Sequence, residues 1–140
     1  MKELRFDSGL QEYSLNERCS VCFNPADPAF ADRIYTAFDA LREKQEKRDI
    51  DADKMTTEEA FTYLRELDAE MRAVIDGVFE QEICAPLFGG MSLYAMAGGA
   101  PVWMNFMLAI IDELDESIHR EKAFHSERLA KYTKNYQKKR

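Results

Sequence analysis

From Ile83 to Ile111 the chain carries no charged residue. A run of that length can cross a bilayer, and a spanning helix would dictate everything else about the fold. Here Pro86, Gly89, Gly90, Gly98, Gly99 and Pro101 cut it into pieces. No uninterrupted piece reaches the ~18 residues that a membrane helix needs, and no cluster of Lys or Arg beside it sets an orientation. The expectation is a buried, jointed connector inside a helical domain. Gly89-Gly90 ends one element, Ser92 to Met96 forms a helical turn, Gly98-Gly99 breaks the chain again, and Pro101 opens the last helix. The same glycines could suggest a phosphate loop. GGMSLYAMAGG, however, matches neither GxxxxGK followed by Ser or Thr nor GxGxxG after a strand, and it has no nearby Lys.

The flanking sequence has regular periods. Leu4 and Phe6 alternate with Arg5 and Asp7, Ser8-Gly9 reads as a turn, and Gln11–Leu15 and Cys19–Phe23 read as short strands. This predicts a β-hairpin or three-strand meander over residues 4–23. Pro25 and Pro28 stop the sheet. Asp27 is placed to cap a helix with Pro28 at its first position. Phe30, Ile34, Phe38 and Leu41 then mark one face of a helix over 28–47. A polar linker follows. TTEE at Thr56 to Glu59 is a capping signal for a helix over 57–80, with the stripe Ala60, Leu64, Leu67, Met71, Val74 and Val78. The last core helix is predicted over 101–118. Its wide stripe holds Trp103, Phe106, Met107, Ile110, Ile111, Leu114 and Ile118. A basic, frayed tail over 119–140 retains Tyr132 and Tyr136. The fold class is α+β, predominantly α-helical, in a single domain over 1–140, a length that can bury one core without disulfides.

Charge narrows the choice of partners. The net charge is −7, which argues against nucleic acid as the main ligand. It is unevenly spread: Ile118 to Arg140 holds eight Lys or Arg and two Glu, so the body is strongly acidic and the tail basic. Opposite ends of opposite sign favour head-to-tail contact between copies. The three cysteines, Cys19, Cys22 and Cys84, together with a start that lacks a signal-peptide pattern, point to a reducing cytoplasm.

No residue set assembles into recognisable chemistry. Cys19-Ser-Val-Cys22 is a CxxC, but it lies in a strand pattern that sends its sulfurs to opposite faces. His119 and His125, the only histidines, lie near the other end of the chain, so a zinc site lacks its second pair. Asp49 to Ala60 begins like a calcium loop, yet it has Lys54 where a Gly is needed and Ala60 where a bidentate Glu is needed. The expectation is no catalytic residue, no metal, no cofactor and no membrane span.

The order of parts carries more information than any one motif. LRFDSGLQEYSLN, the FNPAD lead-in to FADRIYTAFDAL, then ICAPLFGG, a Gly-Pro break and an apolar helix running to KYTKNY together resemble the tail assembly chaperones of long-tailed phages and prophages of Gram-positive bacteria. The resemblance spans most of the chain. It implies a non-enzymatic protein that binds the tape measure protein in many copies and keeps it soluble in the host cytoplasm, with the tail-tube protein as a further partner. Phe88, Met91, Tyr94, Met96, Trp103 and Met107 are the candidate partner-binding or self-association residues; the alternative is that they fill the core. The methionines among them supply a pliable apolar surface. Two rival functions stay open: a metal- or thiol-dependent regulator using Cys19 and Cys22, and an acidic host-interaction protein of a mobile element.

Overall fold

The computed structural model describes residues 1–46 and 54–138. Readings that fall on Lys47, on Asp49 to Asp53, or on the side chains of Tyr132 and Tyr136 lie outside it. The chain is α+β and predominantly helical. Strands β1 (Gln11–Leu15) and β2 (Cys19–Phe23) precede helices α1 (Pro28–Glu46), α2 (Thr57–Phe79) and α3 (Cys84–Phe88). A two-residue ladder, β3 (Met96–Ala97) with β4 (Ala100–Pro101), leads into α4 (Val102–Lys138).

β1 and β2 form an antiparallel hairpin, with Tyr13 opposite Val21 and Leu15 opposite Cys19. Alternation puts Val21 and Phe23 into the core while Ser20 and Cys22 face out. The third strand of a meander is absent. Residues 1–10 form no strand, and Leu4 and Phe6 are 80% and 85% exposed. The local chemistry at Ser8-Gly9 accounts for this. The Asp7 carboxylate accepts the Gly9 N–H at 2.9 Å, and the Asn24 amide donates to the Ser8 carbonyl at 3.0 Å. Gly9 sits at φ +74° against the Asn24 side chain, where a Cβ would lie 2.6 Å from Nδ2. Held in this way, residues 1–7 do not pair with β1.

α1 and α2 begin where their capping residues predict. The Asp27 carboxylate accepts the Ala29 N–H at 2.9 Å, directly before Pro28. Thr56 Oγ1 accepts the Glu59 N–H at 3.1 Å. α1 buries Phe30, Ile34, Ala37 and Leu41, with Phe38 half-buried. α2 buries Leu67, Met71, Ile75 and Val78. Val74 is half-buried against the core as its period predicts, and Ile75 beside it is fully buried as well. α2 ends at Glu80, a left-handed cap whose N–H reaches the Asp76 and Gly77 carbonyls.

Six aromatic rings connect the elements. Tyr13 stacks on Phe23 at 4.5 Å and Phe23 on Phe30 at 4.4 Å. Phe30 meets Phe79 edge-on, and Phe79, Phe106 and Phe88 continue the series at 5.9 and 6.1 Å. Hairpin, α1, α2, α4 and α3 thus share one apolar seam, whose offset and edge-on geometries suit the ring quadrupoles.

The charge-free stretch is jointed, as its glycines predict, but its parts differ from expectation. α3 is one short helix ending at Gly89. Ser92 to Ala95 is a single turn, closed by the Ala95 N–H donating to Ser92 O at 3.0 Å. Met96 then enters a strand rather than a helical turn. Gly98 and Gly99, at φ +63° and +86°, form the two-residue turn between β3 and β4, a conformation that favours glycine at both places. Pro101 pairs with Met96, and the helix starts one residue later, at Val102. From there α4 runs for 37 residues without interruption. The predicted core helix and basic tail are one element, since no Gly or Pro occurs within it.

Candidate binding groove

Three charged side chains on α2 fix the connector. Asp68 Oδ1 accepts the Leu93 N–H at 2.7 Å, and its Oδ2 pairs with Arg72 Nε at 3.0 Å. Arg72 also donates to the carbonyls of Gly89 and Met91 at 2.8 and 2.7 Å. Asp76 Oδ1 accepts the N–H groups of both Ile83 and Cys84, at 3.0 and 2.9 Å, and so caps α3. These positions were readable only as solvated helix faces. An i, i+4 Asp–Arg pair with a further Asp is common on exposed helices, and nothing local marks these as anchors.

The six candidate residues divide. Trp103 and Met107 are fully buried and Tyr94 is nearly so. Trp103 spends its N–H on Gln45 Oε1 at 2.9 Å. Phe88 is half-buried, whereas Met91 and Met96 are 51% and 66% exposed. The first three belong to the core, Phe88 and Met91 line an open groove, and Met96 is exposed outside its lining.

The groove, of about 630 Å³, runs between the hairpin and the first three turns of α4, with α3 closing one side. α4 contributes Val102, Asn105, Phe106, Ala109, Ile110 and Glu113, spaced as one helical face. α3 and the residues after it contribute Leu87, Phe88 and Met91. From the hairpin, Tyr13, Ser14, Leu15 and Asn16 line it in succession. Phe23 of β2 lines it too, so the groove reaches under the inner face of the hairpin, and the outward-facing Ser14 between Tyr13 and Leu15 brings the edge of β1 to its border. The wide apolar stripe of α4 therefore serves two faces. Trp103, Met107 and Leu114 fill the core, while Val102, Phe106 and Ala109 line the groove.

Glu113 closes one end. Its Oε1 accepts from the Tyr13 hydroxyl at 2.9 Å, from Ser117 at 3.1 Å and from Arg120 at 3.2 Å. Burial, and then the Glu113 carboxylate that the hydroxyl bonds, push the Tyr13 phenol up to about 12. Arg18 lines the groove at the hairpin turn. Such a surface, apolar with two charges at its margin, is suited to binding a segment with alternating or periodic apolar side chains.

The cysteines do not converge. Cys19 is partly buried and Cys22 exposed on opposite faces of β2, and Cys84 is buried beside Asp76. Burial raises the Cys19 thiol above its ordinary range, and burial followed by the Asp76 charge raises Cys84. Among the described residues no group of three His, Cys, Asp or Glu is placed to hold a metal ion. No helix among them is long and apolar enough to cross a membrane.

Beyond Ser117, which is buried, α4 leaves the body. Every residue from His119 to Lys131 is exposed, including Phe124 at 60% and Leu129 at 52%. No protein-family model matches this chain, and no characterised protein or solved structure shows significant similarity to it.

Proposed function

We propose that this chain is a non-enzymatic tail assembly chaperone that binds the tape measure protein of a long-tailed phage or prophage in the bacterial cytoplasm and keeps it soluble during tail assembly. The tail-tube protein would be its second partner. The observation that carries the reading is the outer half of α4. A helix without tertiary contacts is marginal in water, and this one exposes Phe124 and Leu129 between basic side chains. Exposed apolar side chains among basic ones suit partner helices that offer apolar and acidic side chains, and a tape measure protein supplies helices with exposed apolar faces in series. The sequence order from LRFDSGLQEYSLN through FNPAD to ICAPLFGG supports the same reading.

Co-expression with the tape measure protein encoded beside this chain tests it. The expected result is a soluble complex with several copies of the chain on each partner. Phe124→Glu combined with Leu129→Glu should abolish capture while the body stays folded. A tape measure protein that remains insoluble, with the chain eluting alone, would reject the reading.

A further inference from the structure

The first residues of the chain and the groove are complementary, and neither is satisfied within one molecule. Residues 3–7 alternate cleanly: Leu4 and Phe6 on one side, Glu3, Arg5 and Asp7 on the other. Leu10 continues the apolar parity and is 63% exposed. That is the pattern of a strand with one buried face, yet no strand forms. The Asp7–Gly9 turn and the Asn24 clamp on Ser8 turn the segment away from its own β1. β1 pairs only with β2 among the described residues, so its other edge keeps unpaired backbone groups beside the apolar groove.

We infer that residues 3–7 of a second copy of this chain add to the open edge of β1 as a third strand and seat Leu4 and Phe6 in the groove against Phe88, Phe106 and Ala109. The backbone of the arm satisfies the strand edge, and its alternate side chains fill the space between hairpin and α4, as in strand addition generally. The polar side of the arm finds charge partners. Arg5 meets Glu12 on the outer face of β1, and Glu3 or Asp7 meets Arg18 at the hairpin turn. Because each copy carries one arm and one groove, two copies can exchange arms about a two-fold axis, or the contact can run head to tail into a larger ring or chain. The strand expected over residues 4–7 is thus formed between molecules.

Self-association needs no tape measure protein, so its failure and the failure of the chaperone reading are separable. The test is light scattering coupled to size exclusion, over a concentration series, on the full chain and two variants. Leu4→Asp with Phe6→Asp alters only exposed residues of the arm. Ala109→Glu places a charge in the groove from an exposed position on α4. The wild-type chain should exceed its monomer mass of 16.2 kDa, increasingly with concentration, and each variant alone should remain monomeric. An equimolar mixture of the two should recover a species of twice the monomer mass, since one supplies an intact arm and the other an intact groove. A monomeric wild-type chain, an arm variant that still assembles, or a mixture that stays monomeric would each overturn it.

Discussion

Asp68 and Leu93 are joined across 25 positions of sequence, carboxylate to backbone N–H, at 2.7 Å. Through Arg72 the same carboxylate also holds the Gly89 and Met91 carbonyls. With both side chains only 20% exposed, this is a largely desolvated network, where a bond to a charged group contributes ~1.5–3 kcal/mol. Asp68→Ala should cost about that much, measured as a lower urea midpoint at unchanged slope. Asp68→Asn, which can still accept from Leu93, should cost less. A loss no larger than that of the exposed control Glu66→Ala would remove Asp68 from the account of how the connector is held.

The division of the candidate residues between core and surface is equally measurable. Met107→Ala should destabilise by ~2–5 kcal/mol and Trp103→Ala by ~3–5 kcal/mol, through lost burial and the cavity left behind. Met96→Ala, at a position 66% exposed, should stay within ~0.5 kcal/mol of wild type. Thermal unfolding of the three variants side by side decides it. Similar losses at all three would mean that the methionine-bearing connector is packed differently.

Tyr13 makes stability fall in alkali. Its phenol is raised to about 12 in the fold from its ordinary value of 10.0, so the folded chain holds that proton more tightly than the unfolded chain. Its contribution is complete below pH ~10 and is lost as the pH rises through the folded value. Denaturation of wild type and Tyr13→Phe as a function of pH should show a constant advantage for wild type up to that point, then a declining one. An advantage that grows above pH 10 would contradict the hydroxyl's bond to Glu113.

Thiol labelling separates the three cysteines. In the folded protein Cys22, exposed on β2, should react first with a maleimide. Cys84 is 1% exposed and its thiol is held protonated by burial and Asp76, so it should label only as the protein unfolds. Mass spectrometry of timed samples would show this order. Rapid modification of Cys84 in native buffer would mean that α3 opens readily.

Elements whose cause is local were legible in the sequence. The hairpin strands, Asp27 before Pro28 and Thr56 before α2 all occur where residue chemistry and period put them. The β3–β4 turn was legible as a break because two adjacent glycines permit little else, though not as a ladder, since two-residue strands have no period. The failures are non-local. Leu4 to Asp7 has the pattern of a strand, but pairing depends on Asn24, sixteen residues from Ser8. Ile75 falls outside the three- and four-residue steps that mark Val74, and its full burial comes from the packing around α2. The groove was half visible. The wide stripe on α4 was legible and reads as that of a core helix, but the strand edge that makes its second face a groove comes from the opposite end of the sequence. Asp68, Arg72 and Asp76 could not be separated from any solvated Asp–Arg ladder.

The continuity of α4 has a mechanical consequence. At ~1.5 Å per residue its 37 residues extend about 55 Å, and its first four turns are locked into the core through Trp103, Met107 and Leu114. Where the projecting half stays helical, its bearing is inherited from the packing of those three side chains. Whatever this lever touches is met at a preset angle. Repacking the core around Met107 would re-aim it without altering a single residue of the surface it presents.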